Sequence, residues 1–343
     1  MRKRLLIVLL ALGLASLAGL VAAQGGTVLL NAAGATFPTP IYSKWFDVYH
    51  SAHPNVQINY QSIGSGGGIR QLQAGTVDFG ASDGPMSDEQ LSQSKFKILH
   101  FPTVLGAVVP TYNIAGVSGE LNFTQKALAG IYLGTITKWD DTEIAKPNAG
   151  VKLPNAEIVV IHRSEGSGTT YIWTDFLGKV SEEWKKKVGN AAASVNWPRG
   201  LGGKGNEGVT GLVKQTPNAI GYIELIYAVQ NNIPYGKVQN AAGNFVKADL
   251  AGVTAAAAAD AKNVPEDFRV SITNAPGPKV YPISSFTWLL IPAQIQDAAK
   301  REAIKDFLKW MLTEGQKYNE GLTYAQLPKD LIAKEAKAIS LIQ

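Results

Sequence analysis

The 343-residue chain contains no cysteine. That absence excludes disulfide scaffolds, thiolate metal sites and cysteine nucleophiles, together with a lipid-modified N-terminal cysteine. Histidine is scarce, with four residues: His50, His53, His100 and His162. Only His50 and His53 are close in sequence, at i and i+3 near an expected helix end. A surface pair is the simpler reading there, and no metal site or cofactor is expected. Charge of either sign is not in great excess. The 32 Lys and Arg against 27 Asp and Glu leave +5, and loss of Arg2, Lys3 and Arg4 would leave 29 against 27, or +2. A balance so close to neutral gives no electrostatic ground for binding nucleic acid. Beyond residue 23 no segment is apolar enough to cross a bilayer.

What the chain does have is apolar bulk: 45% hydrophobic residues, with 7 Trp, 12 Tyr and 11 Phe. That composition excludes disorder, and the length exceeds one typical core, so two domains are expected. The N-terminus reads as an export signal. Arg2-Lys3-Arg4 is followed by an apolar run over 5–20 and by Val21-Ala22-Ala23, so residues 1–23 are expected to be removed after Ala23. An uncleaved membrane anchor is the alternative reading of this segment.

Strand-like runs at 27–31, 56–60 and 77–81 alternate with helical patterns. Thr39-Pro40 reads as a helix cap with proline at the first helical position, and Ser87-Asp88-Glu89-Gln90 as a capping box. This β-α order predicts a largely parallel α/β sheet with loops gathered at the carboxyl ends of its strands. A second such region begins at 158–162 and runs into a helix carrying Ile172, Trp173, Phe176 and Leu177. A last amphipathic helix carries Ile304, Phe307, Leu308, Met311 and Leu312 and is expected to stop at Gly315. The order strand, Gly-Ser-Gly, helix occurs at Ser65 and again at Ser167. We therefore expect two similar α/β domains, joined by extended crossings near 105–112 and 280–286 that would form a hinge.

Three turns are built to hold an anion: Gly34-Ala35-Thr36-Phe37, Gly64-Ser65-Gly66-Gly67-Gly68 and Arg163-Ser164-Glu165-Gly166-Ser167-Gly168-Thr169-Thr170. Each joins a strand to a helix start, where unpaired N–H groups and the helix dipole favour negative charge and glycine admits close approach. Arg163 adds a planar two-pronged donor, and Glu165 is read as its ion-pair partner rather than an intruder. Asp83 fits two roles. It can cap the turn at Gly84-Pro85, or it can accept the proton of an oxyanion that still carries one, rejecting one that does not. Gly203-Lys204-Gly205-Asn206-Glu207-Gly208 fits a dinucleotide-loop pattern but follows no clear strand, and is read as a structural loop at a cleft rim.

Taken together with Ile131-Tyr132-Leu133-Gly134, Lys138-Trp139-Asp140-Asp141, Trp197-Pro198-Arg199-Gly200 and Gly221-Tyr222-Ile223-Glu224, these motifs resemble the phosphate-binding proteins of bacterial phosphate ABC importers. The resemblance runs in order from about Asn31 to the C-terminus. It implies a two-lobed periplasmic-binding-protein fold of type II, with domain I formed by 24–110 plus 284–343 and domain II by 111–283. It also implies that Thr36, Phe37 and Ser65 donate to inorganic phosphate from one side, that Asp83 accepts the phosphate's proton, and that Arg163, Ser167, Gly168 and Thr169 donate from the other. Relatives often carry Asp where this chain has Glu165. The implied protein is a periplasmic monomer that performs no catalysis and passes phosphate to transmembrane permease subunits. Alternatives are a receptor for another oxyanion such as sulfate or molybdate, and an exported phosphatase or surface phosphate-binding protein.

Overall fold

One long strand organises the molecule. In the computed structural model, which describes residues 26–117, 119–260 and 263–343, β4 (Ile98–Asn113) is buried along almost its whole length. Its first half pairs antiparallel with β11 (Ser284–Pro292), from Ile98 opposite Pro292 to Ala107 opposite Ser284. Its second half pairs antiparallel with β8 (Ala219–Glu224), from Val108 opposite Glu224 to Asn113 opposite Ala219. Strands covered on both faces read as continuous apolar runs rather than alternating ones, and the sequences of β4 and β11 have that character.

The remaining strands extend this seam on both sides. β1 (Val28–Gly34), β2 (Val56–Ser62) and β3 (Phe79–Ser82) are mutually parallel, and β3 lies against β11. On the other side β6 (Val159–Arg163) and β7 (Leu201–Gly203) run parallel to β8. The eight-stranded order is β2-β1-β3-β11-β4-β8-β6-β7. A separate three-stranded sheet holds β5 (Asn122–Phe123), β9 (Lys237–Gln239) and β10 (Phe245–Val246). The registers have one consequence for function. The carboxyl ends of β1–β3 and of β6–β8 point toward each other, with β3 ending level with Pro102 of β4 and β8 ending level with Val108. Ligands of open α/β sheets bind at such ends.

Helices pack on these strands through buried stripes. Thr39–Ala52 buries Ile41, Tyr42, Trp45, Phe46 and Tyr49, and Gly168–Val180 buries Ile172, Trp173, Phe176 and Leu177. Two expected details differ. The first helix begins at Thr39 with Pro38 as its cap, so Thr39 lies inside it; the Thr39 hydroxyl is bonded to Ser62 Oγ at 2.7 Å instead. The helix Ala298–Leu312 ends at Thr313, whose hydroxyl bonds back to the Lys309 and Trp310 carbonyls. Gly315 opens a 3-10 turn, and its carbonyl accepts from Trp45 Nε1 at 2.7 Å. The expected export signal, residues 1–23, lies outside the described residues, among which no helix is long and apolar enough to cross a membrane.

Candidate functional site

On the β1–β3 side the chain leaves three strand ends in succession. Thr36 and Phe37 follow β1, and Ser65 opens the helix Ser65–Ala74 that follows β2. Gly64 precedes that helix at φ +86°, and a Cβ there would lie 2.9 Å from Glu165 Cγ, so both conformation and space call for glycine. Asp83 follows β3. The Phe37 ring is buried against Gly106 and Tyr324, and its carbonyl accepts from Tyr324 Oη at 2.6 Å, so only its backbone faces the turn chemistry. The turn at Gly84 is closed by Ser82, whose hydroxyl accepts from Gly84 N, and not by Asp83. The Asp83 carboxylate instead receives the Thr287 hydroxyl at 2.9 Å.

Thr287 sits where β4 and β11 slip register. Thr287 faces Val104 while Trp288 faces Pro102, leaving Thr103 as the extra residue of a bulge. Such bulges re-aim side chains, and Pro102 is tolerated beside one.

On the β6–β8 side, Arg163 ends β6 and Ser167 caps the helix Gly168–Val180, accepting from Thr170 N at 3.1 Å. Arg163 is held on every edge. Its Nε donates to Glu165 Oε1 at 3.0 Å, its Nη2 to the same oxygen, and its Nη1 to Thr169 Oγ1 at 3.0 Å. Glu165 Oε1 also accepts from Gly205 N at 2.9 Å. Burial opposes ionisation of Glu165, but the Arg163 guanidinium and these N–H groups outweigh it and hold the carboxyl below its ordinary range.

The two sides touch. Gly168 N donates to Ser65 Oγ at 3.0 Å, and Gly66 N donates to the Gly166 carbonyl at 2.9 Å. A Cβ on Gly168 would lie 2.5 Å from Ser65 Oγ and 2.6 Å from Asp83 Cβ, so any other residue would hold the two sides apart. Thr36, Ser65, Asp83, Arg163, Ser167 and Thr169 are all buried within this junction. A cavity of about 360 Å³ opens beside it, lined in part by Ser82, Gly84, Ser87, Gln90, Gly168 and Tyr171.

The polarity of the cluster follows from counting lone pairs. Ser65 Oγ accepts from Gly168 N and Asp83 N, and Thr169 Oγ1 from Arg163 Nη1 and Asn206 Nδ2. Thr36 Oγ1 accepts from both Asn206 N and Nδ2, at 3.2 and 2.8 Å. A hydroxyl whose lone pairs are filled by N–H groups can only donate its proton. The cluster is thus rich in donors and suited to an acceptor-rich guest. Asp83 is the exception. Burial pushes its carboxyl up to about 7, with the Thr287 hydroxyl and then Arg163 pulling the other way.

The chain matches the model of the PBP superfamily domain over residues 21–314. The phosphate-binding protein PstS of Xylella fastidiosa is 46% identical over 313 residues, covering 91% of this chain and 85% of that protein. Its counterpart from Methanocaldococcus jannaschii is 40% identical over 92% of this chain and 87% of that protein. The chain belongs to the PstS family. Among solved structures, the periplasmic phosphate-binding protein PfluDING, bound with phosphate at pH 8.5, superposes with a TM-score of 0.72 at 22% identity. It covers 90% of this chain and 93% of that one. A putative phosphate ABC transporter substrate-binding protein from Clostridium perfringens gives 0.64 at 19% identity, covering 88% and 100%. These likenesses show the fold, a two-lobed α/β periplasmic-binding-protein fold.

Within this PstS-family chain, sequence reasoning missed several residues of the junction. The loop 203–208, expected as a structural rim, instead follows the short strand β7 and places Asn206, fully buried, between Thr36 and Thr169. Three residues of strand are too few for a periodic pattern, which is why the strand went unread; the recurring strand-turn-helix order was the available signal. Thr287 carries no motif, and the motif around Tyr222 gives no hint of which residues its hydroxyl meets. Tyr222 Oη accepts from Arg163 N at 3.1 Å and lies 2.6 Å from Thr170 Oγ1, a contact between distant segments that only folding creates.

Proposed function

We propose that this chain captures inorganic phosphate between its two halves in the cell envelope and delivers it, without any covalent step, to the transmembrane subunits of an ABC importer. Its guest would be monohydrogen phosphate, held by Thr36, Phe37, Ser65, Arg163, Ser167, Gly168 and Thr169 as donors and by Asp83 as acceptor of the phosphate's own proton. Glu165 keeps the Arg163 fork in place. One observation carries the reading: donors from both sides converge on a single buried junction that includes the Asp83 carboxyl, which no guanidinium or ammonium group among the described residues pairs directly. An acceptor-only anion such as sulfate would meet that carboxylate without a proton to offer. The names of the 40–46% identical relatives support the same guest.

In the proposed working form, residues 1–23 are removed after Ala23 and the protein acts as a periplasmic monomer without nucleic-acid partners. Residues 24–110 and 284–343 would move as one domain and 111–283 as the other. Strand β4 and the segment around residues 281–284 would bend between them, where Val108 N meets the Ile283 carbonyl and Tyr281 Oη meets the Val108 carbonyl. Donors drawn from both sides make closure and binding one event.

Titration calorimetry on residues 24–343 tests the reading. Phosphate and arsenate, both protonated near neutral pH, are expected to bind, and sulfate to bind weaker by orders of magnitude. Absence of heat with phosphate would end it.

A further inference from the structure

We infer that Asn206 is a positioning residue that fixes the Thr36 and Thr169 hydroxyls as donors to the guest. The inference rests on the phosphate-binding reading above. Asn206 is the second residue of the helix Gly205–Gln215 and is fully buried. Its amide orientation is set independently of the site, because its Oδ1 accepts from the backbone N–H of Glu224 at 2.9 Å. The amide's NH₂ group therefore faces the other way. One of its protons goes to Thr36 Oγ1 at 2.8 Å and the other to Thr169 Oγ1 at 3.2 Å, while the Asn206 backbone N–H adds a second bond to Thr36 at 3.2 Å.

The consequence is a matter of hydrogen-bond sense. A threonine hydroxyl can donate to water, to a carbonyl or to an anion, and free rotation would spread its proton over all of these. Here both lone pairs of Thr36 are taken by Asn206, and those of Thr169 by Asn206 and Arg163 Nη1. Each hydroxyl retains one capacity, donation, and the guest oxyanion is the acceptor. Thr36 comes from the β1–β3 side and Thr169 from the β6–β8 side, so one amide aligns donors from both halves at once. Its anchor is Glu224, at the end of β8 where β4 passes between the halves. The bonds to Thr36 cross between the two halves, while those to Thr169 and Glu224 lie within one of them. Asn206 thereby ties closure to the acceptor character of the guest while standing behind the two hydroxyls.

The geometry distinguishes this role from simple packing. If Asn206 acts through the two hydroxyls, its removal matters only while they are present. The test is a cycle of phosphate affinities by titration calorimetry on wild-type protein, Asn206→Ala, Thr36→Val with Thr169→Val, and all three changes together. Asn206→Ala is expected to weaken phosphate binding on the order of 30-fold in the wild-type background and by less than about threefold in the Val/Val background. Equal losses in both backgrounds would overturn the inference while leaving the phosphate reading intact; a wild-type protein that gives no phosphate heat would overturn the reading itself. A second variant guards against loss of folding. Asn206→Asp keeps the shape and the Glu224 contact but turns the amide donor into an acceptor that draws both hydroxyl protons away from the guest. It should bind phosphate at least about tenfold more weakly than Asn206→Ala. Wild-type affinity in Asn206→Asp would refute the positioning role.

Discussion

Asp83→Asn replaces a buried acceptor with an amide of nearly the same shape. In the native site the Asp83 carboxylate takes the Thr287 hydroxyl at 2.9 Å, and its backbone N–H donates to Ser65 Oγ at 3.3 Å. A phosphate hydroxyl donating to the carboxylate makes a charge-assisted bond worth about 1.5–3 kcal/mol, so the variant should bind phosphate about 10- to 100-fold more weakly. Sulfate moves the opposite way. The carboxylate repels an unprotonated oxygen, whereas the Asn amide can donate to it. A site organised around one hydroxyl can discriminate by roughly 10⁴, and the variant should compress that ratio to about 10² or less. Calorimetry with both anions at pH 8 measures the ratio, and an unchanged ratio would refute the assignment.

The pH dependence gives the same reasoning a second, independent exposure. The Asp83 carboxyl titrates at about 7 in the folded protein against 3.8 for the free side chain. As pH falls through 7 it gains a proton and becomes a donor, so wild-type sulfate binding should strengthen from pH 8.5 to 5.5 while that of Asp83→Asn stays level. Stability follows by linkage. The native state holds a proton that the unfolded state has lost between about pH 4 and 7. Asp83 therefore costs stability as pH rises across that window, by about 4 kcal/mol at most. Urea unfolding should find Asp83→Asn gaining on wild type at pH 8, with the gain vanishing near pH 4. A flat sulfate profile in wild type would show that Asp83 does not face the guest.

Gly168→Ala should leave the unliganded fold in place but lower phosphate affinity at least about 100-fold, because its Cβ would fall 2.5 Å from Ser65 Oγ. Small-angle scattering should then find no compaction on adding phosphate, and wild-type compaction in this variant would contradict the cross-cleft contact. Glu165→Gln removes the charge that offsets buried Arg163 and should cost about 3 kcal/mol in urea unfolding without phosphate; an effect under about 0.5 kcal/mol would show the pair to be dispensable. His100 accepts from Met86 N at 3.1 Å through Nε2. Burial and then Arg269 hold it near pKa 4, against the opposing pull of Asp267. Its contribution is therefore present above about pH 6.5 and lost as pH falls toward 4. His100→Gln should lose about 2–3 kcal/mol less stability than wild type between pH 7 and 4.5, by urea unfolding.

How much of this was legible depended on how local each signal is. The parallel strands β1, β2 and β6 were readable because a short apolar or alternating run that leads into a glycine-containing turn and then a helix is a contiguous pattern. The capping box at Ser87 is present with both of its reciprocal bonds for the same reason. The bulge at Thr103 was not readable, since it depends on the register between β4 and β11, nearly two hundred residues apart in sequence. Asn206 fell between these cases. Its loop was noticed, but its value comes from meeting Thr36 across 170 residues and Thr169 across 37. The caps of Thr39 and Gly315 misled because local propensity there yields to tertiary partners, Ser62 for one and Trp45 for the other.

The charges of the junction argue against simple electrostatic attraction as its basis. Arg163 is already matched by Glu165, whose one oxygen receives both Nε and Nη2. Asp83 contributes either nothing or a negative charge, depending on which side of about pH 7 the solution lies. The cluster is therefore neutral or negative when it meets a dianion. Under the proposed reading, attraction would come from oriented dipoles: the N–H groups at the starts of the helices Ser65–Ala74 and Gly168–Val180 beyond those of Gly66 and Gly168 already bonded across the junction, and the hydroxyls of Thr36, Ser65 and Thr169. Dipoles of this kind act over short range and in fixed directions. They favour a guest of one size and one protonation pattern, whereas a surplus of cations would welcome any anion. Matching Arg163 with Glu165 sacrifices indiscriminate attraction, and in the proposed reading it would leave the choice of guest to geometry and to Asp83.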